Sequence, residues 1–139
     1  MVPDRARIWA ELRSIDAGWL TTAKRRLVER IAADADARGV ATLMEWLTDQ
    51  DPVACAGGVQ DVIASAAVEA GLSWEAIPSG AGHDAAHLAL LGPMGMIFVP
   101  SLGGRSHVPE EDSRPTDIAA GVDVLARTLV RLDRVGPAT

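Results

Sequence analysis

Met94-Gly95-Met96-Ile97-Phe98-Val99 is a continuous apolar run with no alternation. Such a run suits a strand buried on both faces, as in a parallel sheet covered by helices on each side. Helical patterns flank it. Upstream, Val59, Val62, Ile63, Ala66, Ala67 and Ala70 form a stripe that Gly71 stops. Downstream, Ile118, Val122, Leu125, Leu129 and Leu132 mark a final amphipathic helix. Leu72 to Pro78 suits a short strand, and His83 to Leu91 has helical composition. Residues 100–115 form a long loop holding three prolines and two glycines. Helix alternating with buried strand predicts an α/β layered arrangement.

The front of the chain reads differently. Residues 5–12 alternate, with Ala6, Ile8, Ala10 and Leu12 on one face and Arg5, Arg7, Glu11 and Arg13 on the other, which is the period of a half-buried strand. Residues 19–37 carry Leu20, Ala23, Leu27, Ile31 and Ala35 at helical spacing, and Gly39 is placed to end that helix. Residues 40–48 alternate again. A strand–helix–strand unit is marginal in water by itself and calls for a partner sheet. Thr48-Asp49-Gln50-Asp51-Pro52 is a polar connector, so the expected domains are 1–51 and 52–139.

With 139 residues the chain is long enough for one ordinary domain. Thirteen basic residues against nineteen acidic ones give a net charge of −6. This balance argues against nucleic acid or an anionic membrane as the main partner, since either favours a basic face. Cys55 is the only cysteine, which excludes an intramolecular disulfide and a cysteine-based zinc site. Neither a secretory leader nor an apolar run of about 18 residues is present. A soluble cytoplasmic protein is the expectation.

All three histidines fall between positions 83 and 107. His83 follows the turn Ser79-Gly80-Ala81-Gly82 at the expected start of a helix. Glycines let a backbone approach a ligand, and helix N-termini attract anions, so a carboxylate or oxyanion beside His83 is chemically reasonable. A plain strand-to-helix connector is the alternative. His107 lies in Ser106-His107-Val108-Pro109-Glu110-Glu111-Asp112, just beyond the apolar run. Ligands in open α/β sheets bind beyond the carboxyl ends of strands, which places His107 as a metal ligand or a general acid/base. A surface-loop histidine is the alternative. His83 and His87 share i, i+4 spacing, but Asp84-Ala85-Ala86 supplies no glutamate and no third ligand is evident, so spacing alone makes a weak zinc motif.

Three blocks together carry a resemblance: Pro78-Ser79-Gly80-Ala81-Gly82-His83-Asp84-Ala85, Met96-Ile97-Phe98-Val99-Pro100-Ser101 and Gly104-Arg105-Ser106-His107-Val108-Pro109-Glu110. They resemble the C-terminal signature of the N-carbamoyl-L-amino-acid hydrolases, β-ureidopropionases and allantoate amidohydrolases. These belong to the dinuclear-zinc aminoacylase and carboxypeptidase family. Val2-Pro3 and Ala10-Glu11-Leu12-Arg13-Ser14-Ile15-Asp16 look like the entry to the second half of that family's lid domain.

The resemblance implies a fold, a reaction and a set of roles. The fold is a partial lid and dimerisation domain over 1–51, strand–helix–strand, followed over 52–139 by the C-terminal part of a zinc-peptidase-like α/β/α catalytic domain. The reaction is metal-dependent hydrolysis of the C–N bond of an N-carbamoyl amino acid or a related ureido or amide substrate. By resemblance, His107 is a metal ligand. His83 contacts substrate and stabilises the developing oxyanion. Arg13 grips the substrate carboxylate, often in a partner subunit's site within a homodimer. Gly80 and Gly82 open the backbone to substrate. The implied cofactor is a divalent metal (Zn, Mn, Co or Ni), of which this chain carries one ligand. A catalytic zinc needs about three protein ligands, so the chain alone is expected to be inactive. Arg105 and Val108 depart from the family pattern beside the metal loop, where aliphatic residues and serine are usual. The alternative expectation is a non-catalytic ligand-binding or dimerisation module that keeps the carboxylate site.

Overall fold

The computed structural model describes residues 3–135. It divides at Pro52 into two compact units, Met1–Pro52 and Val53–Thr139. Helix α1 (Ala17–Arg38) belongs to the first. Helices α2 (Gly57–Glu69), α3 (Ala85–Leu88) and α4 (Pro115–Val135), with a short 3-10 turn over Leu102–Gly104, belong to the second.

In the first unit, α1 has chemical stops at both ends. The Asp16 carboxylate accepts the Trp19 N–H at 2.8 Å, covering one of the donors a helix start leaves open. Gly39 ends the helix at φ 61°, a left-handed conformation that costs glycine little. The apolar stripe expected from the sequence is the sheltered face: Leu20 is buried, and Ala23, Leu27, Ile31 and Ala35 are half-buried. Arg25–Glu29 and Arg30–Asp34 pair along the opposite side, and Lys24 pairs with Asp49 in the following segment.

In the second unit, α2 packs against α4. Ala66, Ala67 and Val124 form the core, with Ile63, Ala70, Leu72 and Ile97 packed around it. Thr128 is buried because its hydroxyl donates to the Val124 carbonyl at 2.8 Å within the helix, so no polar atom is stranded. The 94–99 segment lies against both helices. A Cβ on Gly95 would fall 2.7 Å from Val59 Cγ1, and one on Gly121 would fall 2.5 Å from Val99 Cγ1. Missing side chains at these two positions set how closely segment and helices approach.

The expected α/β architecture, with an α+β lid portion and an α/β/α catalytic part, is not observed. The described residues contain helices and no strand. Segments 5–12, 40–48, 72–78 and 94–99 join no ladder. Ile8, on the apolar face expected of the first, is 86% exposed, and Leu43 in the second is 87% exposed. Alternation reports only what a side-chain pattern would suit. A strand exists through hydrogen bonds to a neighbour distant in sequence, and three or more strands are needed for stability in water. Segment 94–99 is packed as expected, but on helices rather than between strands.

One helix is shorter than its pattern, and α4, present as expected, is covered on another side than its apolar stripe. The one expected over 83–91 is a single turn, α3, whose followers Leu90 and Leu91 are each 85% exposed. Short helices need a packed face, and no residue of this one is fully buried. In α4 the buried positions are Val124 and Thr128. The expected stripe, Ile118 to Leu132, instead lines an open apolar groove of about 580 Å³ with Ile63 and Ile97. No helix among the described residues is long and apolar enough to cross a membrane.

Candidate functional site

The turn at 79–83 is built around a serine. Ser79 Oγ accepts the Ala81 N–H at 3.2 Å, the local bond that lets a hydroxyl shape a turn two residues on. The same oxygen lies 2.7 Å from His83 Nε2. Phe98, near the end of the apolar run, meets the His83 ring edge-on, with centroids 5.5 Å apart and planes at 61°. His83 is therefore gripped at one nitrogen and braced on one side, and it stays half-buried. Gly80 and Gly82 both avoid positive φ, and a Cβ built on either meets no atom within 4 Å. Among the described residues, no atom beyond the flanking ones lies where a side chain would start at either position.

The helix-start rationale for His83 needs correcting. Helix α3 begins at Ala85, runs four residues, and has no side-chain cap at Asp84. One turn sums too few peptide dipoles to make an anion site. Any polarising ability at this turn lies in the His83 ring and the local backbone. His87, on α3, is exposed.

His107 sits in a separate loop of the same unit. The Leu102 N–H donates to the Asp112 carbonyl at 2.8 Å, closing the loop at its base, and Ser101 Oγ donates to the Arg105 carbonyl at 2.5 Å. Gly103 and Gly104 take φ of 67° and 64°. His107 itself has φ 58°, the only positive-φ residue other than glycine among those described. Its N–H donates to Glu111 Oε2 at 2.6 Å, a charge-assisted bond that offsets part of the backbone strain. The residue is exposed.

Arg13 lies in the first unit, on the extended segment before α1. Its Nε and Nη2 meet the two Glu11 oxygens at 2.8 and 2.9 Å, a bidentate pair at the surface. Hydrogen bonding to Arg13 holds the Glu11 carboxyl below its ordinary value, and the same bond raises Arg13. The guanidinium fork thus already grips a carboxylate, one from its own chain.

The described residues contain no group of three or more histidine, cysteine, aspartate or glutamate side chains able to hold a metal ion. Against the roughly three protein ligands of a catalytic zinc, this donor set does not fit a metal by itself. Of the residues singled out in sequence, the structure joins His83 to the 79–82 turn, holds His107 in its own loop, and keeps Arg13 in the other unit. Sequence reading missed Ser79, Phe98, Glu111 and Glu11 as partners. Two carried a local signal: Ser79 begins a tight turn four residues before a histidine, and Glu111 follows His107 by four.

The model of peptidase family M20/M25/M40 matches residues 20–131. A ureidoglycolate hydrolase from Arabidopsis thaliana is 37% identical over 132 residues, covering 94% of this chain and 28% of the relative. An N-carbamoyl-L-amino-acid amidohydrolase from Paenarthrobacter aurescens is 35% identical over 133 residues, covering 96% and 32%. The crystal structure of AtUAH in complex with glyoxylate matches with a TM-score of 0.74 at 38% identity, over 84% of this chain and 28% of that one. The chain thus spans about a third or less of the length of these relatives.

Proposed function

Because this chain belongs to peptidase family M20/M25/M40, within the N-carbamoyl-amino-acid, ureidoglycolate and allantoate amidohydrolase group, we propose that it forms one part of an amidohydrolase site cleaving the C–N bond of a ureido or carbamoyl acid. The supporting observation is the state of His83. Its ring is held at Nε2 and braced by Phe98, beside a turn whose glycines no neighbour requires. Space without an internal cause is what a bound substrate would use.

Each residue has a role in this reading. His83 donates to the carbonyl oxygen of the substrate as negative charge gathers there, and a preorganised donor of that kind is worth about 3 kcal/mol of barrier. Gly80 and Gly82 let the substrate approach the backbone. Arg13 grips the substrate carboxylate bidentately, in its own site or a partner subunit's within a homodimer, by exchanging Glu11 for it. His107 supplies one ligand to a divalent metal, Zn, Mn, Co or Ni, whose remaining ligands lie outside residues 1–139. When bound, that metal supplies Lewis-acid activation of a water.

Grafting residues 1–139 in place of the matching segment of the Paenarthrobacter aurescens relative tests this. The graft should release ammonia from an N-carbamoyl amino acid when loaded with Mn or Zn. His107→Ala should lower bound metal and turnover by about 100-fold or more, beyond the usual loss from outer-shell changes. Unchanged metal content and turnover in His107→Ala would reject the ligand role. A second reading is a module that binds carbamoyl acids without turning them over, since no three-ligand cluster occurs among the described residues. Calorimetric binding by the chain itself, with a graft that never turns over, would select it.

A further inference from the structure

We propose that Ser79 is a positioning residue that fixes His83 as its Nδ1–H tautomer, so the ring presents Nδ1 as a hydrogen-bond donor to a bound ureido or amide oxygen. The proposal rests on the role given to His83 above and adds the group that decides which nitrogen carries the proton.

Ser79 Oγ has one proton and two acceptors within reach, His83 Nε2 at 2.7 Å and the Ala81 carbonyl oxygen at 3.3 Å. Hydroxyl hydrogen bonds are strongest below about 3.0 Å, so of the two acceptors the ring is the one that draws the hydroxyl proton more strongly. The Ala81 N–H, arriving at 3.2 Å, occupies an Oγ lone pair and orients the hydroxyl. In a neutral imidazole one nitrogen accepts and the other carries hydrogen. An accepting Nε2 therefore places the proton on Nδ1. A free histidine side chain in water prefers the reverse arrangement, so the serine works against the intrinsic preference. Phe98 restrains the ring from rotating out of this contact.

The longer contact also has a use. When the ring gains a proton, Nε2 becomes a donor and Oγ must accept from it. The hydroxyl proton then turns to the Ala81 carbonyl, the acceptor already at 3.3 Å. The Nδ1–H persists in both states. Serine suits this position because a hydroxyl both donates and accepts, whereas an ammonium or a carboxylate would serve one state only.

The test is a two-bond ¹H–¹⁵N correlation spectrum of the imidazole rings of the full chain, recorded well above the ordinary histidine range. His83 should appear as the Nδ1–H tautomer. Ser79→Ala should shift the tautomer ratio toward Nε2–H by roughly five-fold, the worth of one ordinary hydrogen bond. Ser79→Thr, which keeps the hydroxyl, should preserve the native ratio. A wild-type His83 in the Nε2–H form, or an unaltered ratio in Ser79→Ala, overturns the proposal. If Ser79→Ala does not fold, the wild-type and Ser79→Thr spectra decide. An unaltered ratio in Ser79→Ala removes only the role of Ser79 and leaves the substrate contact of His83 standing, whereas a wild-type Nε2–H ring takes the donor from both. An Nδ1–H ring that ignores N-carbamoyl amino acids would instead sink that contact.

Discussion

The turn at 79–83 and the loop at 101–112 each present a histidine, and they hold it by opposite means. His83 is held through its ring, by Ser79 at Nε2 and Phe98 at its side, on a backbone with no left-handed residue. His107 is held through its backbone, in a left-handed conformation between Gly103-Gly104 and Glu111, while the residue stays exposed. The difference teaches what each position is built to keep. The first fixes which nitrogen is offered. The second fixes where the side chain leaves the chain and accepts local strain to do so.

Position 107 should show the widest separation of stability from function. His107→Gly relieves the positive φ that His107→Ala retains, so the glycine variant should be more stable than the alanine variant by about 1–2 kcal/mol. In the graft both should lose metal. Denaturant unfolding of the two variants checks the first point, and metal analysis checks the second. Equal stability would mean that the loop relaxes and the strain is not held.

The glycines sharpen the same comparison. Gly103→Ala and Gly104→Ala place a Cβ on left-handed backbone and should each cost about 1–2 kcal/mol. Gly80→Ala and Gly82→Ala meet no atom within 4 Å and no positive φ, so they should be neutral or stabilising by up to about 1 kcal/mol. Yet both should weaken binding of an N-carbamoyl amino acid, if the space beside them is for substrate. Parallel unfolding and calorimetric titrations separate the two effects. Glycine 80 and 82 variants that leave binding untouched would return this turn to a plain connector.

The smallest effect is expected in the first unit. The Glu11–Arg13 pair is fully exposed, where such pairs contribute little, so Glu11→Gln should leave stability almost unchanged. The sign of its pH dependence is still defined. The folded state lowers Glu11, so its small contribution is present above the unfolded value and fades as pH falls through the folded one. Removing this internal carboxylate should raise the affinity of Arg13 for an external one, read by titrating the chain with an N-carbamoyl amino acid. Unchanged or weaker binding would show that Glu11 is not a competitor.

Helices were legible in the sequence where their signals were local. The Gly39 stop and the Leu20-to-Ala35 stripe of α1 both lie within one helix, and so does the Val59-to-Ala70 stripe of α2. Strands were misread because alternation at 5–12 and 40–48 records suitability, while a ladder depends on a neighbour that no local pattern reveals. The Ile118-to-Leu132 stripe likewise marked α4, but which of its sides is covered was not legible. Which side of an amphipathic helix is covered depends on what α2 and segment 94–99 offer, and they cover Val124 and Thr128. At the site, His83 and His107 stood out because histidines are few and sit in glycine-rich or acidic surroundings. Ser79 and Glu111 did not, because serine and glutamate are common, and their importance lies in distances of 2.7 and 2.6 Å that composition cannot express.

The proposed function sets the ring of His83, and not that of His87 a few residues on, against the bound ureido or carbamoyl acid. The ring signals of both can be followed while the chain is titrated with an N-carbamoyl amino acid. Saturable movement of the His83 Nδ1 signal with a stationary His87 is the predicted result. A still His83 at saturating ligand, or equal drift of both rings, would contradict it.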